Sequence, residues 1–129
     1  MNDVPAAIYT YVQSKTGITT LTGTRIWFEV DTPRTGYVPS QGPALVFRIR
    51  GGTSDYSASI VNASVQFRCY GRDEEQANQL YRACFDAFQI VSAGLHIVSH
   101  SVETLGTTLE DPATGWVFVL FFVSFWIYP

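Results

Sequence analysis

IVNASVQFRCYGRDEEQANQLYRACFDAF, Ile60 to Phe88, changes its hydrophobic period from two to 3.6 within a few residues. In the first half, Val61, Ala63, Val65, Phe67 and Cys69 alternate with Asn62, Ser64, Gln66, Arg68 and Tyr70. Alternation of this kind is a strand with one face toward a core and one away from it. In the second half, Asp73 stands where a helix N-cap belongs. Gln76 follows three residues later, a capping-box arrangement with Asp in place of Ser or Thr, and Glu74 and Glu75 suit the positive end of a helix. Ala77, Leu80, Tyr81, Cys84, Phe85 and Phe88 then form one apolar stripe. Strand and helix each have a single apolar side, so the helix is expected to pack on the strand's apolar face.

Working upstream, Pro43 to Arg50 reads as a second two-faced strand. Leu45, Phe47 and Ile49 point one way, and Val46, Arg48 and Arg50 the other. Gly51 and Gly52 are expected to open a polar turn, TSDYSAS, that leads into Ile60. Before Pro43 lies DTPRTGYVPSQG, Asp31 to Gly42, a loop long enough for a small domain that function is expected of it. A short strand is expected near Arg25–Val30. The chain starts with a helix capped by Asp3, with Pro5 in its first turn and Val4, Ala7, Ile8, Tyr11 and Val12 on one face, ending at Gly17. Downstream, Gly94 precedes a strand near Leu95–Leu105, Gly106 to Gly115 reads as a polar connection, and Trp116 to Tyr128 closes the chain. In that last run Val117, Val119, Val123 and Ile127 stand among aromatics, as strands prefer. It is too short for a spanning helix, which needs about 20 apolar residues.

The order is helix, three strands, helix, two strands: an α+β domain, residues 1–129, with a single mostly antiparallel β-sheet and two helices packed on one face (α-β-β-β-α-β-β). The last strand is apolar on both sides, so it is either central in the sheet or covered on its second face by another subunit.

Composition narrows the function classes. The 129 residues suit one domain, and 47% apolar with 15% charged excludes a disordered chain. Charged residues usually make up about a quarter of a soluble chain. That deficit, with 15% aromatics, leaves apolar surface that an assembly would cover. The net charge of −3 argues against a dedicated nucleic-acid binder. Seven of the eight basic residues are arginine, suited to forked contacts with carboxylates across an interface. Cys69 and Cys84 read as buried reduced thiols, with a strand-to-helix disulfide as the other arrangement. The N-terminal MNDVPAAIY has neither the basic run nor the long apolar stretch of a secretion leader.

Catalytic groups do not emerge. His96 and His100 point to one side of their strand but stand about 13 Å apart along it, too far to share a metal. Gly51 to Ser54 lacks the lysine and the following helix of a phosphate loop, and reads as a turn. Helix capping accounts for Asp73, Glu74 and Glu75. The Asn62-Ala63-Ser64 sequon lies mid-strand in a chain without a leader. No cofactor or metal is expected. What stands out is a polar set: Arg48, Arg50 and Arg68 share the sheet face away from the helices, beside Gln66 and Asn62. This set reads either as a solvated face or as an interface to acidic groups of a neighbour, with contact to passing DNA a lesser option.

The stretch PALVFRIRGGTSDYS followed by NASVQFRCYGRDEEQANQLYRACFDAF, Pro43 to Phe88, resembles the tail-completion (tail-terminator) family of long-tailed bacteriophages. There a strand leads through a glycine-containing turn to a strand of alternating polarity and a helix that starts with acidic residues. AIYTYV in the first helix, RIW and the closing FWIYP fit the same outline, while Asp31–Gly42 and Thr107–Thr114 have no match in it. The resemblance implies a non-enzymatic virion protein of the tail or neck, present in the host cytoplasm during assembly. It implies a homo-hexameric ring that caps the tail tube and stops its polymerisation. Partners would be the tube protein and a head-completion or connector protein, with DNA only passing through the channel and no membrane. On that reading the candidate inter-subunit residues are Arg34 and Tyr37 in the long loop, and Arg48, Arg50, Gln66 and Arg68 on the sheet. Two alternatives stand beside it: another neck ring component or tube subunit, and a small ligand-binding domain with an apolar pocket under Trp116–Tyr128.

Overall fold

The computed structural model of the protein describes residues 4–28, 33, 35–55, 60–89 and 97–127. The elements run α1 (Val4–Gln13), α2 (Thr16–Thr22), β1 (Ile26–Phe28), β2 (Ala44–Asp55), β3 (Ile60–Gly71), α3 (Glu74–Gln89), β4 (Ile97–Glu110) and β5 (Val117–Ile127). A single 3-10 turn, Pro39–Gln41, interrupts the long loop. The five strands form one sheet in the order β1-β2-β3-β5-β4, in which β1 runs parallel to β2 and every other pair is antiparallel. The fold is α+β, with a mostly antiparallel sheet and the helices on one face.

The alternating residues of β3 decide which face that is. Ala63, Val65, Phe67 and Cys69 join Leu45 and Phe47 of β2 and Val119, Phe121, Val123, Phe125 and Ile127 of β5 in the main core. Ile8, Tyr11 and Val12 of α1, Ile18 of α2, and Ala77, Leu80, Cys84 and Phe88 of α3 pack onto them. Phe67 is the hub, fully buried and stacked on Phe121 at 5.2 Å and 14°, with Phe88 at 5.2 Å and Phe47 at 5.9 Å. Cys69 and Cys84 face each other across this core as free thiols. Burial, then a hydrogen bond with Cys84, holds the Cys69 thiol well above its ordinary pKa.

α3 begins as its sequence dictates. The Asp73 carboxylate accepts the Gln76 N–H at 2.8 Å, and the Gln76 side chain accepts the N–H of Arg72 at 2.9 Å. Gly71 makes the strand-to-helix step sterically possible, because a Cβ there would lie 2.5 Å from the Ala77 nitrogen. At the other side, the Tyr81 hydroxyl accepts the Gly106 N–H at 2.8 Å and ties α3 to β4.

Three local expectations are corrected. The first helix closes at Gln13 rather than near Gly17, and α2 follows as an additional short helix. Its threonines and Gly17 are weak helix formers. It forms because Ile18 and Thr22 are buried and because Thr20 and Thr22 give their hydroxyls to the carbonyls of Thr16 and Ile18. Gly51 and Gly52 do not open a turn: Gly51, at φ 143°, sits at a register shift after Ile49, and pairing with β3 continues through Asp55. Such a bulge costs a glycine little. Finally, residues 106–110 are strand, not connection, with Thr107, Thr108 and Leu109 paired to Leu120, Val119 and Phe118. Residues 56–59 of the expected turn, the residues around Gly94 and His96 lie outside the described residues, as does the His100 side chain.

Candidate inter-subunit surface

Side chains of β2, β3 and β5 that do not enter the main core form the opposite face of the sheet in cross-strand rows. Ala44, Tyr70 and Phe118 make one row; Val46, Arg68 and Leu120 the next; Arg48, Gln66 and Phe122 the third. Beyond them Ser64 pairs with Ser124 and Asn62 with Trp126.

The long loop covers the first of these rows. Tyr37, Ala44, Val46, Tyr70 and Phe118 form a second, smaller core flanked by Trp27, Trp116 and Leu120. The Tyr37 ring is 5% exposed and meets Trp27 at 5.4 Å and Trp116 at 5.8 Å, both edge-on. Its hydroxyl donates to the Gly42 carbonyl at 2.7 Å. Burial pushes that hydroxyl up to about 12 from 10.0, with Arg25 pulling it down and Tyr70 adding to the rise. Arg25 holds the loop from below, giving its Nε–H to the Pro43 carbonyl at 2.9 Å. A Cβ at Gly42 would lie 2.5 Å from the Arg25 guanidinium, so loop and arginine are fitted to one another.

Val46 of the second row still belongs to this small core, and the second and third rows carry Arg68 and Arg48. Arg50 gives its Nε–H to the Ser64 hydroxyl at 2.8 Å and lies 3.9 Å above the Phe122 ring. Arg68 stands 5.1 Å from the Phe118 ring and reaches the Tyr70 hydroxyl at 3.5 Å. Stacking on an aromatic face fixes a guanidinium without neutralising it, at a gain of about 0.5–1 kcal/mol each near a surface. Gln66 is buried beside Arg48. The Asn62 amide oxygen is buried and has no hydrogen-bond partner among the described residues.

Of the six candidate residues, the structure thus gathers Arg48, Arg50, Gln66 and Arg68 on one surface. Tyr37 sits beside it as the loop's internal anchor, its ring turned into the chain. Arg34 lies outside the described residues. Sequence reasoning missed Trp27, Tyr70 and Trp116 as partners of the loop. Their only signal was the aromatic surplus, which does not say what each ring touches.

Other features offer less chemistry. Among the described residues no group of three or more His, Cys, Asp or Glu could hold a metal. Beneath β5 the space is filled by Phe67, Phe88, Phe121 and Phe125. A groove of about 700 Å³ lies elsewhere, between Pro5, Ala6, Tyr9 and Thr10 of α1 and Ile26, Trp27 and Phe28 of β1.

A scan of family models matches none to this chain, and no curated protein matches it. Solved structures do match. One is a chain of the "virion of native gene transfer agent (GTA) particle", 12% identical, with a TM-score of 0.67 over 98% of this chain and 95% of that one. At that identity the likeness is one of fold, and it runs nearly end to end through both chains: this protein has the fold of a gene transfer agent virion chain.

Proposed function

We propose that this protein is a structural virion subunit of a phage-type particle, and within it a tail terminator. On this reading it assembles as a ring, a homo-hexamer in the resemblance of Pro43–Phe88, on the end of the finished tail tube. It stops tube polymerisation there and presents its other side to a head-completion or connector protein, with DNA passing through the channel. It does so without catalysis. The observation that carries the reading is the likeness in fold to a virion chain over nearly the full length of both chains. The sequence resemblance to tail-completion proteins independently points to the same kind of particle. The arginine rows and the anchored loop are the surfaces such a subunit would offer to neighbours, with Arg34 in the loop that Tyr37 anchors from inside, and Arg48, Arg50 and Arg68 on the sheet around the buried Gln66.

The nearest competing role is another ring of the neck or the tube subunit itself. The test is to titrate the purified protein into polymerising tube subunits from the same particle. A terminator binds tube ends and shortens tubes at substoichiometric amounts. Incorporation along the tube, or filaments of this protein alone, would make it a tube subunit. Lack of any effect on tube length or ends would refute the terminator role.

A further inference from the structure

The core holds the only two thiols of the chain, and the packing of α3 on β3 brings them together. Cys69 lies on the core face of β3, level with Leu45 of β2 and Val119 of β5. Cys84 belongs to the buried stripe of α3, with Ala77, Leu80 and Phe88. Two close approaches fix that stripe along the strand. At one end a Cβ on Gly71 would lie 2.5 Å from the Ala77 nitrogen. At the other the Phe88 ring stands 5.2 Å from the Phe67 ring. Cys69 lies between Gly71 and Phe67 on the strand, and Cys84 between Ala77 and Phe88 on the helix, about one turn before Phe88. The two side chains accordingly meet, and a hydrogen bond joins them. Both are fully buried and both are free thiols.

We propose that Cys69 and Cys84 are a latent disulfide, open while the subunit folds and assembles and closed once it stands in an oxidising medium. The change of medium rests on the virion reading above, since a cytoplasm keeps thiols reduced and the outside of a cell does not. The chemistry of the pair is independent of that reading. Burial sets the order of events. Neither cysteine has exposed surface in the closed fold, and desolvation, then the hydrogen bond with Cys84, holds the Cys69 thiol in its protonated form. A protonated, enclosed thiol is inert, so reaction begins only when α3 lifts locally from β3. One cysteine, as its thiolate, then attacks a sulfur of a small-molecule disulfide such as glutathione disulfide and expels one thiol. When α3 reseats, the second cysteine attacks the bonded protein sulfur and expels the other. One S–S bond is broken and one is formed. The two cysteine protons end on the two released thiols, and the two electrons lost by the cysteines reduce the oxidant. The new bond closes a loop of about 15 residues, which removes freedom from the unfolded chain and ties α3 to the strand it covers.

Intact mass, thiol titration and thermal melting of the full-length protein test this. The protein is purified with dithiothreitol, freed of it, and held with excess glutathione disulfide until its mass stops changing. The mass is expected to fall by two hydrogen atoms per chain, and the thiols that titrate in urea to go from two to none. The melting temperature is expected to rise by about 10 °C, and dithiothreitol to reverse all three changes. Two thiols that persist at the end point, a chain that stops at the glutathione adduct, or a bond between two copies would each overturn the proposal. So would a closed chain that melts no higher than the open one. Cys84→Ala is expected to show no rise in melting temperature with the oxidant, and a rise equal to the parent's would assign the effect elsewhere and overturn the latch. If that variant does not fold, the parent protein decides alone, because its mass and thiol count need no variant. Tube growth is read separately: a protein that still ends tubes but never closes its thiol pair refutes the latch and leaves the terminator reading standing.

Discussion

Replacing Tyr37 by phenylalanine removes a single hydroxyl from the second core and leaves the ring in place. That hydroxyl donates to the Gly42 carbonyl at 2.7 Å, beneath a ring that is 5% exposed. A hydrogen bond of this kind contributes about 1 kcal/mol net, so near neutral pH the variant is expected to be less stable by that amount. Alkaline pH reverses the order. The folded pKa is about 12 and the free phenol's is 10.0, so the native state keeps a proton that the unfolded chain releases between those values. The stability from this group is complete below pH 10 and is lost as pH rises through 12. At about pH 11, one unit above the free value, the parent protein has lost about 1.4 kcal/mol. That exceeds the contribution of the bond itself, and the variant, with no phenol at this position, is spared. The two stability curves are therefore expected to cross between about pH 10 and about pH 11, the other tyrosines cancelling in the difference. Urea unfolding followed by the fluorescence of the neighbouring Trp27 and Trp116 reads both curves. A gap that stays constant across the alkaline range would refute the burial of the hydroxyl, and the absence of a gap near neutrality would refute its bond to Gly42.

Phe67→Ala is expected to cost about 3–5 kcal/mol, a large part of the stability of a domain this size, seen as a fall in the urea midpoint; a change under 1 kcal/mol would contradict its place as hub of the core. Asp73→Ala removes the cap on the Gln76 N–H and should cost about 1 kcal/mol, while Asp73→Asn, which keeps the acceptor, should cost much less. Gly71→Ala forces a Cβ against the backbone of Ala77 and is expected to lower the melting temperature by the equivalent of about 1–3 kcal/mol. An unchanged melting temperature there would show that β3 and the start of α3 are not held so closely.

Where the local signal was strong, sequence and structure agree. β3 and α3 follow from clean periodicities, and the Asp73–Gln76 cap forms as the spacing requires, although the Gln76 side chain reaches Arg72 instead of Asp73. The assignment of Arg48 and Arg68 to one face also follows from alternation, since the register shifts only after Ile49, while Arg50, within the bulge, is held on that face by Ser64 and Phe122. Local reasoning failed where tertiary packing decides. α2 has poor helix formers and exists because its buried residues have a core to enter. Gly51-Gly52 looks like a turn but is a bulge, since pairing with β3 outweighs the weak local preference. The threonines of 107–108 look like connection by polarity alone, yet they suit an edge strand. The covering of the sheet by the long loop was not legible at all. Nothing in DTPRTGYVPSQG says that Tyr37 folds back between Trp27 and Trp116.

The central claim is that this subunit ends the tail. The most direct test is electron microscopy of particles produced when the gene for this chain carries a stop codon. Tails of irregular, excessive length that fail to join filled heads are the predicted result. Tails of normal length attached to heads would contradict the claim.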